Sequence, residues 1–192
     1  MQRGFKAQAR RLALEVRAEI GCGLLDPFDP DALAELYGVR VLAMREIRCD
    51  PAALRHFSLT AQSKFSAALI PDGAGWVIVE NDSHAPVRRR SNLAHEMAHV
   101  ICEHTGSPLV LAGKRCRDGT DTREAEADAV MGELLIPSDA AVRLAKRGAE
   151  DGDVAATFMV SLEMAQWRMR MSGARIIAER AAAYRAPRAS SR

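Results

Sequence analysis

The chain has 192 residues, 48% of them hydrophobic, a formal net charge of +2 and four cysteines. That length and apolar content support one main core with a small helical appendage, and the absence of any run of 18 apolar residues excludes a helical membrane span. The Arg-rich first twenty residues carry Glu15 and Glu19 and no long apolar segment, unlike a signal or transit peptide. Cys22, Cys49, Cys102 and Cys116 form no Cys-x-x-Cys pair, so the expectation is a cytoplasmic protein with free thiols and no membrane partner.

Phe5, Ala9, Leu12, Val16 and Ile20 recur at helical spacing and are followed by Gly21 and Gly23, which predicts an amphipathic surface helix. Asp29-Pro30 starts a short helix that ends near Gly38, and Val39–Ala43 reads as a strand. Asp50-Pro51 caps another short helix or turn. Lys64–Ile70 and Trp76–Glu80, joined through Pro71-Asp-Gly-Ala-Gly75, read as a β-hairpin. The unbroken apolar run Trp76–Val79 predicts a strand covered on both faces. One expectation is that its edge is open to an extended peptide; the alternative is an interior strand bonded to both Lys64–Ile70 and Val39–Ala43.

After Pro86 comes the stretch that carries the chemistry, His95-Glu96-Met97-Ala98-His99. Two histidines four residues apart on a helix share a face and converge on one Zn²⁺, with Glu96 beside the attacking water as general base. With His95 at 0° and about 100° per residue, His99 falls near 40°, whereas Leu93, Met97, Val100 and Ile101 fall between about 140° and 240°. The helix thus opposes a metal face to an apolar face. Cys102 lies on the metal side but reads as a packing residue. His104 lies about 180° from His95 if the helix continues, and reads as a helix-terminal or core-edge histidine. Eleven residues before His95, His84 is too far along the chain to take part.

A catalytic zinc needs a third protein ligand. The helix predicted to start at the capping-box-like Asp121 and to end at Pro137 supplies Glu124, Glu126 and Asp128. Glu124 and Glu126 differ by about 200° on one helix, so only one faces the metal. Glu124 with Asp128 four residues on reproduces a Glu-x-x-x-Asp arrangement in which the Asp orients a ligand histidine. The order His-Glu-x-x-His, Glu-x-Glu-Ala-Asp, Leu-Leu-x-Pro resembles the ImmA/IrrE family of bacterial and phage-encoded metallopeptidases, over roughly residues 28 to 173. Ser91, Ala98 and Val130 stand where that family usually has an aromatic, Gly and Phe. The resemblance implies Zn²⁺ held by His95, His99 and Glu126, with Glu96 catalytic. It also implies a protein substrate, typically a helix-turn-helix transcriptional repressor, cleaved under stress.

Residues 105 to 120 read as a long loop and a candidate substrate lid. Ser138 caps a helix to Arg147, and Val154–Met159 and Ser161–Met171 form two short helices about a tight turn, similar to a helix-turn-helix. From residue 164 onward the net charge is +6, against −4 for the rest; a basic solvated tail accounts for this, and DNA is the weaker alternative. The expected architecture is α+β: a small twisted sheet with a zincin-like active helix and a ligand helix over residues 1–137, a helical segment over 138–178 and a basic disordered tail over 179–192. The competing function is a non-catalytic regulator that binds a partner or DNA through its C-terminal helices, with a structural or sensory zinc site.

Overall fold

Asp29 and Asp50 both act as an Asp-Pro pair does at a helix start: Asp29 Oδ1 accepts from the amides of Asp31 and Ala32, and Asp50 Oδ1 accepts from that of Ala52. The computed structural model describes residues 4–73, 75–104 and 120–185. In chain order the elements are α1 (Phe5–Glu19), α2 (Pro30–Leu36), β1 (Arg40–Ala43), α3 (Pro51–Arg55), β2 (Ala67–Asp72), β3 (Gly75–Glu80), α4 (Pro86–Ile101), α5 (Thr120–Leu135), α6 (Ser138–Lys146), α7 (Asp151–Phe158), α8 (Leu162–Met171) and α9 (Ala174–Arg185). The architecture is the expected α+β, with a three-stranded sheet and a helical C-terminal part. No described helix is long and apolar enough to cross a membrane. The candidate lid falls almost wholly on residues 105–119 and, like Cys116 and residues 186–192, lies outside the described residues.

The sheet order is β1-β3-β2. Strands β2 and β3 form the expected hairpin, antiparallel with Asp72 opposite Gly75, and Gly73 takes a positive φ of 60° in the tight connection. Strand β1 runs parallel to β3, Arg40 opposite Val77 and Ala43 opposite Glu80. This overturns the open-edge expectation for Trp76–Glu80: β3 is bonded on both sides, so no peptide can add to it. The apolar run is the sign of an interior strand, and Ile78 at its centre is fully buried.

Helix α1 is more than a surface helix. Ala9, Ala13 and Val16 pack into the common core, and Arg17 is 1% exposed, its guanidinium donating to the carbonyls of Leu134 (2.5 Å), Asp26 (2.6 Å) and Gly23. A cation on the Leu134 carbonyl, in the last turn of α5, offsets both an acceptor the helix leaves over and the negative end of that helix. Helix α5 also packs against α4 and, through Gly132, meets α8. A Cβ at Gly132 would stand 3.0 Å from the Trp167 ring, so a larger residue here would require that ring to give by a few tenths of an ångström.

The C-terminal helices belong to the same core, through Ala140, Ala141, Val154, Phe158, Ala165 and Met169. Arg168, 5% exposed, donates to Ile136 O (2.7 Å) and Ser138 Oγ (2.9 Å) and pairs with Glu133. Ser138 is the first residue of α6 and not its cap, a position Pro137 takes, and its amide and hydroxyl both donate to Glu133. Helix α7 starts at Asp151, earlier than Val154, because Asp153 accepts from the Glu150 amide and makes the acidic break a cap. Ser161 caps α8 by accepting from the Met164 amide, and α9 runs to Arg185, into the stretch expected as tail.

Candidate metal centre

Pro86 occupies the first turn of α4, where its missing N–H costs nothing, and Leu93, Ala94, Met97 and Ala98 bury one face of that helix. This fixes its rotation and aims the opposite face, with His95 and His99, at α5. The two Nε2 atoms are 3.2 Å apart. Glu124 on α5 completes the group: its Oε2 is 3.3 Å from His95 Nε2 and its Oε1 3.5 Å from His99 Nε2. Bonds of about 2.0–2.1 Å in a tetrahedron place ligand atoms about 3.3–3.4 Å apart. Two imidazole nitrogens and a carboxylate oxygen at these separations therefore fit zinc, and His95, His99 and Glu124 are the one such cluster among the described residues.

The resemblance implies Glu126 as third ligand, but the structure brings Glu124 to the histidines instead. Two residues on, Glu126 points to the other flank of α4, where its Oε2 lies 3.4 Å from His104 Nε2. The physical reason is the near-opposite direction of side chains two apart on a helix. Asp128, one turn after Glu124, faces the same way as that carboxylate, and its Oδ1 is 3.3 Å from His95 Nδ1. This is the Glu-x-x-x-Asp arrangement that spacing left open as the alternative. The carboxylate holds the outer nitrogen of His95 and leaves Nε2 for the metal.

Electrostatics follow from the geometry. Burial lowers the pKa of His95, yet hydrogen bonds to Asp128 and Glu124 outweigh it and push that pKa up to about 10. His99 goes down to about 4, through burial first and then the charge of His95. At neutral pH His95 is thus the charged member of the pair and His99 the neutral one. Glu124 is held below the ordinary carboxylate value, chiefly by its hydrogen bond to His95. Glu96, half-buried, is pushed above that value by burial; Glu124 also raises it, while the charge of His95 and a hydrogen bond from the Leu69 backbone amide lower it. A carboxylate raised in this way beside the His95, His99 and Glu124 cluster suits a general base.

That bond also ties Glu96 to the sheet. The Leu69 amide reaches Glu96 and so points away from β3. With period two, Pro71, which has no amide, shares that outer edge, as proline in a strand must.

The remaining candidates have structural explanations. His84 is buried, its Nε2 2.9 Å from Gln62 O and its Nδ1 3.3 Å from Asn92 Nδ2. Burial and then Glu126 raise the Cys102 thiol to about 11, which leaves it protonated and unreactive. What sequence reasoning missed is His104. It is 8% exposed, and its Nδ1 lies 3.0 Å from His99 Nδ1.

No curated protein matches the chain. The model of the IrrE N-terminal-like domain, peptidase family M78, matches residues 34–170, a span that takes in the sheet, both metal-site helices and the helices that follow up to α8. With that match the resemblance becomes an assignment: the chain belongs to the ImmA/IrrE family of zinc metallopeptidases.

Proposed function

We propose that the protein is a zinc-dependent endopeptidase that cleaves a protein substrate, a helix-turn-helix transcriptional repressor, in the regulation of stress or mobile-element genes. The observation that carries this reading is the convergence of His95, His99 and Glu124 with the raised carboxylate of Glu96 beside them. His95, His99 and Glu124 would hold the zinc, which supplies Lewis acidity to a scissile carbonyl. Glu96 takes the proton of the attacking water and passes it to the departing amine. The Leu69 amide holds the Glu96 carboxylate at the outer edge of β2. Asp128 orients His95. A site whose purpose was structural would have no use for a general base here.

The rival reading, a DNA-binding regulator, draws little support from α8. Its exposed positions include Leu162, Glu163, Gln166 and Arg170, one charge of each sign and no basic stripe.

The test is incubation of the zinc-loaded chain with purified helix-turn-helix repressors, beginning with any that the genes flanking its own encode. The expected result is discrete fragments, lost on chelation and in Glu96→Gln. An intact substrate after incubation with a chain shown to carry one zinc would overturn the repressor as substrate.

A further inference from the structure

Helix α4 ends in an unusual way. Cys102 closes it, Glu103 takes the left-handed conformation with φ 53°, and the chain doubles back: the Glu103 amide donates to Val100 O and the His104 amide to His99 O, each at 3.0 Å. This is a Schellman turn, whose left-handed position is ordinarily glycine. A glutamate there carries a backbone cost of about 1–2 kcal/mol. The turn sets the side chain of His104 directly over that of His99, with the ring centroids 5.2 Å apart. A continuous helix would have sent His104 to the opposite side.

From this geometry we infer that His104 and Glu126 form a positioning pair for His99, the counterpart of Asp128 for His95. The inference rests on the metal-site reading above. If His99 gives its Nε2 lone pair to zinc, its one proton sits on Nδ1 and donates to His104 Nδ1, 3.0 Å away. His104 must then carry its own proton on Nε2, where the Glu126 carboxylate, 3.4 Å away, accepts it. Every tautomer in the chain His99–His104–Glu126 is thereby determined. Both ligand histidines present Nε2 to the metal and anchor Nδ1 outward, one on a carboxylate and the other on an imidazole backed by a carboxylate. The arrangement also accounts for Glu126. Its side chain is only 15% exposed, and it faces His104 rather than solvent.

Zinc affinity, measured by competition with a chromophoric chelator, is compared between the parent chain, His104→Leu and His104→Asn, alongside the imidazole ¹⁵N spectrum of the zinc-loaded parent. Leucine fills the space but accepts nothing; the asparagine oxygen stands near the Nδ1 position and still accepts from His99. The expected results are affinity about 10- to 100-fold weaker in His104→Leu, recovery of most of that loss in His104→Asn, and a parent spectrum with His99 protonated on Nδ1 and His104 on Nε2. A His104 protonated on Nδ1 in the zinc-loaded parent overturns the inference, as does a His104→Leu chain with parental affinity. Should His104→Leu fail to fold, the asparagine variant and the parent spectrum decide. A folded parent that takes up no zinc overturns the metal site itself and this pair's role with it, an outcome distinct from one in which the parent binds zinc and His104 proves indifferent.

Discussion

Asp128 Oδ1 lies 3.3 Å from His95 Nδ1, so the helix that brings the Glu124 carboxylate to the two histidines also orients one of them. Glu124 and Asp128 do both jobs from one face of α5, one turn apart. Rotating α5 by the angle between neighbouring side chains would lose both contacts together.

Metal content separates the two glutamates. Glu124→Ala, His95→Ala and His99→Ala should each lose the zinc, since three protein ligands are the minimum for such a site. Glu126→Ala should retain it with weakened affinity. Metal analysis of the four purified variants checks this; full zinc in Glu124→Ala with none in Glu126→Ala would reverse the assignment made from the geometry.

Glu96→Gln preserves shape and removes the base. The chain should keep its zinc and its fold while substrate cleavage falls by about 10²-fold or more. Parental cleavage rates in that variant would exclude Glu96 as the proton acceptor.

Proton release on metal uptake tests the electrostatics. Both histidines must be neutral to bind metal. In the metal-free chain His99, at about 4, has already lost its proton at neutral pH, whereas His95, at about 10, has not. Uptake of one zinc between about pH 6 and 9 should therefore release one proton, and apparent affinity should fall about tenfold for each unit the pH drops. Two ordinary histidines would instead give no pH dependence above their usual range and a steeper fall below it. Calorimetry in buffers of different ionisation enthalpy counts the proton.

Arg168 ties α8 to the junction of α5 and α6 through a buried ion pair, with the Arg168 and Glu133 side chains 6% and 8% exposed. Arg168→Ala leaves Glu133 buried without its cation and should destabilise the fold by about 3–5 kcal/mol. Replacing Arg168 and Glu133 together by apolar residues of similar size should cost much less. Denaturant unfolding of the single and double variants measures the difference, and a single variant within 1 kcal/mol of the parent would mean that the pair contributes little.

The left-handed Glu103 gives a backbone prediction. Glu103→Gly should relieve the local cost and stabilise the chain by up to about 1 kcal/mol, because glycine enters that region freely. An unfolding midpoint below that of the parent would show that the Glu103 side chain contributes something the turn geometry does not reveal.

What the sequence by itself determined is what depends on near neighbours along the chain. The shared face of His95 and His99, the Asp-Pro starts of α2 and α3 and the β2–β3 hairpin all follow from periodicity and capping chemistry within a few residues. Tertiary structure alone decided the rest. Glu124 and Glu126 are equally good helical carboxylates, and the choice between them depends on how α5 is rotated against α4 and α1, a matter of burying Ala127, Val130 and Leu134. The interior place of β3 depends on β1, more than thirty residues earlier, pairing parallel to it. Arg17 is a surface residue by composition, and becomes buried because the Leu134 carbonyl at the end of α5 arrives beside it. His104 depended on a single backbone angle at Glu103. A residue type that seldom enters the left-handed region gave no sign of the turn, and once the turn forms, the histidine that a straight helix would have carried away comes to rest on the metal-site histidine.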